Sequence, residues 1–332
     1  MAPNRRLALL VLVLSFASGI AVLGPLLARA AEPTDKVARV GFVGTESLSR
    51  GVTAFWERLH ELGWVEGKNL IVEARWAEGQ VERLPALMNQ VIAQNVDVLF
   101  TYGTPAAVAA KKATNTVPIV AAMMGDPLGT GLAASLARPG GNLTGISLAM
   151  AEGLGGKWLQ LLHETVPRLS TVAVIGNPAS PWVPNMTREL EVDARTRGLA
   201  IRFIEVRDVE GLDRAFARAQ REAQGAIVLG DPLTLHNWER ILSLAAKHRV
   251  PALYPNPESA EFGGLMAYGM DSVVAFRRAA EYVDKILRGA KPGDLPIEQP
   301  TQFKLVINLK AARALGLTIP ESILVQANEV IR

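Results

Sequence analysis

Thr104-Pro105-Ala106-Ala107 sets a hydroxyl side chain, a proline and two small residues directly after an apolar run that ends near residue 101. Threonine there reads as an N-cap and proline as the first helical residue, which turns the unpaired amides of a helix start and the positive end of its dipole outward. Such an end attracts an anion, for example a carboxylate; a plain cap whose amides meet water is the alternative. Asp126 and Asp231 each follow a glycine at the close of an apolar run. A carboxylate in that place can take a ligand amine or hydroxyl, or can simply cap a helix. Asn177 and Ser180 stand at a similar edge, where an Asn-Pro turn explains them at least as well as binding does. Thr45, Glu46 and Ser47 follow the first strand-like run, the place of the first ligand loop in a doubly wound fold. Tyr102, Trp182, Tyr254 and Tyr268 put rings at or just past such ends, where they can sandwich a ligand.

Five of these edges share one signature, a strand-like run that empties into Thr104-Pro105, Asp126-Pro127, Asn177-Pro178, Asp231-Pro232 or Tyr254-Pro255. Proline presets φ, lacks an N–H and keeps the residue before it extended, so each reads as a strand end opening into a turn or helix. The strands are expected at 37–43, 70–76, 96–101, 119–123 and 143–146, with helices at 49–62, 81–94, 105–114 and 131–137. The pattern restarts with a helix at 153–166, strand 171–175, helix 184–197, strand 201–206, helix 210–223, strand 226–229, helix 235–248 and strands 252–254 and 265–268. Alternation of this kind predicts an α/β protein of two doubly wound parallel-sheet lobes facing one another across a cleft. A helix at 273–288, an extended 295–300, a run at 303–307 and a helix at 309–315 are too little for a third lobe. They are expected to be shared through crossings near 269–271 and 301–304, giving one lobe of 31–150 plus about 271–302 and another of 151–270 plus about 303–332. Multiple crossings of this sort make a hinge.

Arg5 and Arg6 precede an apolar stretch over 7–27, and Ala28-Arg29-Ala30 supplies small residues for cleavage. Residues 1–30 therefore read as a secretory signal peptide, which sends the remainder to the periplasm. Three of the 35 lysines and arginines lie in that leader, which holds no acid, so the rest carries 32 basic against 32 acidic side chains. A neutral chain without a basic block has no electrostatic footprint for nucleic acid. The sequence has no cysteine, which excludes disulfides, thiol catalysis and a lipid-bearing cysteine anchor. His60, His163, His236 and His248 fall on expected helices among charged neighbours and read as surface. There is no H-E-x-x-H, G-x-S-x-G or P-loop, and Gly41 and Gly44 lack the third glycine of a dinucleotide fingerprint. No cofactor and no metal are expected, and a secreted enzyme using Asp126 and Asp231 as an acid and base pair is the rival reading.

Several longer motifs carry a resemblance. Gly125-Asp126-Pro127-Leu128-Gly129-Thr130-Gly131-Leu132, Ser135 through Gly145, Arg249 through Tyr254, Gly263 through Gly269, Ala280 through Pro292 and Glu298 through Lys310 resemble the ABC transporter substrate-binding family related to the tryptophan-binding protein TrpX. The resemblance implies a type I periplasmic binding protein fold, a monomer that closes on a small solute and delivers it to permease subunits in the inner membrane. A sensor lobe of a signalling system would share the fold and differ in its partner. By position, the resemblance implies a cleft lined by Thr45, Glu46, Ser47, Thr104, Pro105, Ala106, Ala107, Asp126, the loop from Asn177 to Ser180, Asp231, Tyr254 and Asp271, to which Trp182 adds its ring as a candidate from the strand-end reading. Amino-acid binders of this kind use a helix end for the carboxylate and an acid for the amine, roles that Thr104 to Ala107 and an aspartate would suit. The loops Gly44-Thr45-Glu46-Ser47 and Ala179-Ser180-Pro181-Trp182 match no ligand pattern and leave the solute open.

Overall fold

The computed structural model of the chain describes residues 37–45, 50–148, 153–299 and 303–332. The expected signal peptide, 1–30, lies outside the described residues, and so do Glu46 and Ser47. Strands and helices alternate as β1 (Ala38–Gly44), α1 (Arg50–Glu61), β2 (Leu70–Trp76), α2 (Leu84–Ile92), β3 (Val98–Tyr102), α3 (Thr104–Ala113), β4 (Ile119–Met124) and β5 (Leu143–Ser147). The strands pair in parallel in the order β2-β1-β3-β4-β5. Val40, Phe42, Val98, Phe100 and Val120 are fully buried, as expected of strands covered on both faces by crossover helices.

The alternation then repeats as α4 (Leu154–Thr165), β6 (Thr171–Gly176), α5 (Val183–Thr196), β7 (Ala200–Glu205), α6 (Gly211–Glu222), β8 (Gly225–Val228), α7 (Pro232–His236), α8 (Trp238–Lys247), β9 (Ala252–Tyr254), α9 (Glu258–Glu261) and β10 (Met266–Gly269). A last stretch adds α10 (Ser272–Leu287), β11 (Lys304–Asn308), α11 (Leu309–Leu315), α12 (Glu321–Leu324) and β12 (Glu329–Ile331). The second sheet runs β12-β11-β10-β9-β8-β6-β7. Its β7-β6-β8-β9-β10 portion repeats the strand order of the first sheet, so both lobes have the expected doubly wound topology. β11 is antiparallel to β10, and the other pairs are parallel.

Helix α10 follows a strand of the second sheet yet packs on the first. Phe276, Ala279, Ala280 and Val283 join Phe42, Phe55 and Phe100 in one core, with the Phe55 and Phe100 rings stacked at 3.9 Å. Polar ties hold the same seam: Trp64 Nε1 donates to Asp284 at 2.9 Å, and Arg58 meets Glu281 at 2.8 Å. Beyond α10, the Glu298 amide donates to Gly145 O at 3.0 Å and accepts at its carbonyl from the Ser147 amide at 2.9 Å. The chain then returns, and β11 pairs with β10. Among the described residues no helix is long and apolar enough to cross a membrane.

Three elements differ from the expectation. Residues 131–137 form turns and bends rather than a helix, because Gly131 takes φ +70° and Ser135 Oγ turns back to accept from the Arg138 amide at 3.1 Å. The helix expected over 235–248 is two, since Pro232 starts α7 early and Asn237, at φ −107° and ψ 24°, interrupts the helical path before α8. The helix expected over 81–94 begins as a 3₁₀ turn, Val81–Arg83, before α2. Elements α9, α12 and β12 are each only three or four residues long, too short for periodicity to reveal.

Candidate functional site

In a sheet of order 2-1-3-4-5, ligands bind beyond the strand ends at the switch between the first and third strands. Each lobe has that switch, between β1 and β3 and between β6 and β8, and both point to one cavity of about 390 Å³. This volume lies in the usual range of small-molecule sites. From the first lobe, Thr45 follows β1 and Tyr102 ends β3; the Thr45 hydroxyl donates to Tyr102 Oη at 3.3 Å. From the second, Gly230 and Asp231 follow β8 on the opposite wall. Seven rings also line the cavity, those of Tyr102, Trp158, Trp182, Trp238, Phe262, Phe276 and Phe303. The wall is thus mostly apolar, with a few polar groups placed among the rings.

Asp231 is the most informative of these groups. It is only 3% exposed and caps α7 reciprocally: Oδ1 accepts from the Thr234 amide at 2.8 Å, and Thr234 Oγ1 accepts from the Asp231 amide at 2.8 Å. The cap uses one carboxylate oxygen. The other, Oδ2, is buried and accepts no hydrogen bond. Burial pushes the Asp231 carboxyl above its ordinary pKa, while the Thr234 amide and hydroxyl and the Asn177 side chain pull it back. A buried carboxylate oxygen without a donor is costly. A cationic donor brought within reach of that oxygen would remove that cost.

Opposite, α3 starts differently from the expectation. Gly103, at φ +78°, is the N-cap, and no side chain caps the first turn. Thr104 Oγ1 instead accepts from the Gly125 amide at 2.8 Å and donates to Gly125 O at 3.3 Å, tying the helix start to the end of β4. Thr104 and Pro105 reach the cavity wall. Ala106 and Ala107 are buried in the core beneath it with Leu99 and Ile119, and so do not line it with their side chains.

Of the remaining candidates, all but Trp182 lie around the cavity rather than on its wall. Asp126, at φ +44°, accepts from the Gly129 amide at 2.8 Å and from Asn185 Nδ2 of the other lobe at 2.6 Å. Asn177 accepts from the Ala179 amide at 3.0 Å in a local turn. Ser180 is buried with its hydroxyl unpartnered. Tyr254 packs in the core formed with α6 and α8, its hydroxyl is also unpartnered, and burial pushes its pKa up. Asp271 caps α10 by accepting from the Val273 amide at 2.9 Å. Trp182 is on the wall as expected, next to Met186.

Several wall residues escape the sequence reading. Trp158 sits mid-helix on α4, where it reads as core; it is buried, lines the cavity, and its Nε1 donates to Tyr268 O at 2.8 Å. Phe276 and Phe303 come from the segments shared between the lobes, and Phe303 stacks on Tyr268 at 5.5 Å. Phe262 follows α9, an element the sequence does not announce. His236, at the end of α7, is exposed as expected and also lines the cavity. Among the described residues no cluster of three or more histidines and acids could hold a metal ion.

Comparison with known proteins agrees with this geometry. The family described as ABC transporter substrate binding protein matches residues 36–331. A tyrosine-binding protein of Clostridioides difficile is 22% identical over 271 residues, which is 82% of this chain and 78% of that one. A conserved domain protein of Vibrio cholerae superimposes with a TM-score of 0.84 at 27% identity, covering 89% of this chain and all of that one. An ABC domain of Streptococcus pneumonia, solved in complex with L-Trp, gives a TM-score of 0.82 at 24% identity over 89% of this chain and 99% of that one. The family consists of solute receptors rather than enzymes, and a family match over nearly the whole described chain leaves one conclusion: this protein belongs to the ABC transporter substrate-binding proteins.

Proposed function

We propose that the protein captures an amino acid with a large apolar or aromatic side chain between its lobes and delivers it to an ABC permease of the inner membrane. Asp231, a wall residue of an aromatic cavity with one carboxylate oxygen free of hydrogen bonds, carries this reading. The solute's ammonium would pair with it, its carboxylate would face the uncapped start of α3 at Thr104 and Pro105, and its side chain would lie among Trp158, Trp182 and Phe276. Thr45 and Trp182 are assigned to the same site, and Glu46 and Ser47, outside the described residues, are assigned to it from the sequence. Ala106, Ala107, Asp126, Asn177, Ser180, Tyr254 and Asp271 act from behind the wall, by holding loops and helix ends in place. The relatives with tyrosine and L-Trp in their descriptions support an amino acid as the class.

The same reading divides the chain into 31–150 with about 271–302, and 151–270 with about 303–332, joined by a hinge. The packing of α10 on the first sheet and the pairing of β11 with the second support that division. A leader over 1–30 would deliver the protein to the periplasm as a monomer.

Isothermal calorimetry of residues 31–332 with L-tryptophan, L-tyrosine, their decarboxylated amines and their des-amino acids tests the assignment. Binding of the amino acids, with a loss of about ten-fold or more in Asp231→Asn and for the des-amino analogues, is the expected outcome. It follows from the ~1.5–3 kcal/mol of a hydrogen bond to a charged group. Equal affinity of the des-amino analogues would overturn the role of Asp231.

A further inference from the structure

Four contacts join the lobes directly at and around the cavity wall. Arg50, at the start of α1, meets Glu261 of α9 at 2.6 Å, and its guanidinium lies 6.0 Å from the centre of the Phe262 ring. Asp126, after β4, accepts from Asn185 Nδ2 of α5 at 2.6 Å. The other two contacts seat a ring of the second lobe on a glycine of the first. A Cβ on Gly79 would fall 2.8 Å from Cγ of His236, and one on Gly125 would fall 2.9 Å from Cγ of Trp182.

The glycine seats separate closure from folding. Gly79 has φ +75°, a conformation that by itself calls for glycine. Gly125 is outside the left-handed region, and the nearest atoms to its virtual Cβ all belong to Trp182. Alanine at 125 is therefore opposed by the other lobe rather than by its own backbone. It would act as a wedge in the closed form and leave a separated pair of lobes unstrained.

We propose that Arg50, Gly125, Asp126 and Asn185 are positioning residues that latch the lobes together, so that the closed population and the dwell time of the solute are set partly by contacts between the lobes themselves. A receptor whose competent form is only fractionally populated loses apparent affinity by that fraction. Because the latches act lobe to lobe, they bias the ligand-free protein as well. This inference rests on the proposed function only for its second readout.

The test exploits the lack of native cysteine. Lys112→Cys on α3 and Arg214→Cys on α6, both exposed positions, accept a donor and acceptor dye for single-molecule energy transfer. In ligand-free protein, the parent should show a closed population that falls about three- to ten-fold in Asn185→Ala and in Gly125→Ala, and further in Arg50→Ala/Asn185→Ala. Raising salt should reduce it in the parent and less so in Arg50→Ala, because salt screens that ion pair. With L-tryptophan or L-tyrosine as probe, the variants should dissociate faster by a similar factor at nearly unchanged association rate. Unchanged melting by circular dichroism would exclude a folding defect. A parent with no closed ligand-free population, or identical distance distributions in parent and variants, would overturn the proposal. Failure of both probes to bind would count against the proposed solute class instead, and leave the ligand-free distributions to decide the latch.

Discussion

At the scale of single residues, Asp231 shows how one side chain can cap a helix and still keep an oxygen without a donor. Its Oδ1 caps α7 while Oδ2 remains without a donor, so the cap reading is met by one oxygen and the proposed ligand role falls to the other. Asparagine at 231 keeps an oxygen for the cap but carries no charge. The folded-state pKa of Asp231 is raised by burial. Its destabilising effect is therefore absent below the unfolded carboxylate pKa and grows as pH rises through the folded value. Asp231→Asn should then melt at the same or a higher temperature than the parent at pH 7, with the gap closing near pH 4, as followed by calorimetric melting. Solute affinity should run the other way in the parent, falling as pH drops through the raised value because the proton competes with the ammonium, while Asp231→Asn stays flat. Thr104 is the counterpart on the first lobe. Thr104→Val removes the partner of the buried Gly125 amide and should cost roughly 1–3 kcal/mol in a urea titration. The sequence marked Thr104 correctly as a strand-end residue, but its hydroxyl bonds a neighbouring strand end, a partner 21 residues away that local patterning does not specify.

At the scale of elements, the long strands and helices were legible because each buries a periodic face. Phe55 and Leu59 on α1, and Val40 and Phe42 on β1, are all fully buried. Short elements were not legible. The α9 segment that brings Glu258 to the wall and Phe262 to the rim has four residues, barely one helical turn, and its position comes from β9 and β10 on either side. Between β4 and β5 the sheet demands a glycine for a visible reason: Gly145 has φ +141°, and a Cβ there would fall 1.9 Å from the carbonyl oxygen of Ala121. Gly145→Ala should cost roughly 3 kcal/mol through backbone strain and displaced packing. A fall in the urea midpoint without a change in slope would show it; an unchanged midpoint would mean that the strands can part freely there.

At the scale of the whole molecule, the two lobes repeat one topology and present matching strand ends to one another, so neither lobe holds the site alone. Thr45, Tyr102 and Thr104 come from one, and Trp158, Trp182 and Asp231 from the other. A solute that bridges them should stabilise the entire fold rather than one lobe. At about 100 times its dissociation constant it should add roughly 2.7 kcal/mol, read as one cooperative transition moved upward in a thermal scan. Two transitions, with only one displaced, would show that the solute engages a single lobe.

What the sequence determined by itself was the class of fold, the restart of the pattern, and where strands end, because hydrophobic periodicity and proline act over a few neighbouring residues. It also carried the receptor family, through motifs spread along the chain. Only the tertiary structure decided which strand-end residues reach the cavity and which stand behind it. It put Asp231 and Trp182 on the wall, buried Ala106 and Ala107 beneath, engaged Asp126 with Asn185 across the cleft, and drew Trp158, Phe276 and Phe303 inward. Those outcomes depend on how two sheets and the helix α10 pack, through contacts such as Asp126 with Asn185, 59 positions apart, and Trp158 with Tyr268, 110 apart. A side chain's direction in such packing is set by neighbours remote in sequence, and local pattern holds no record of them.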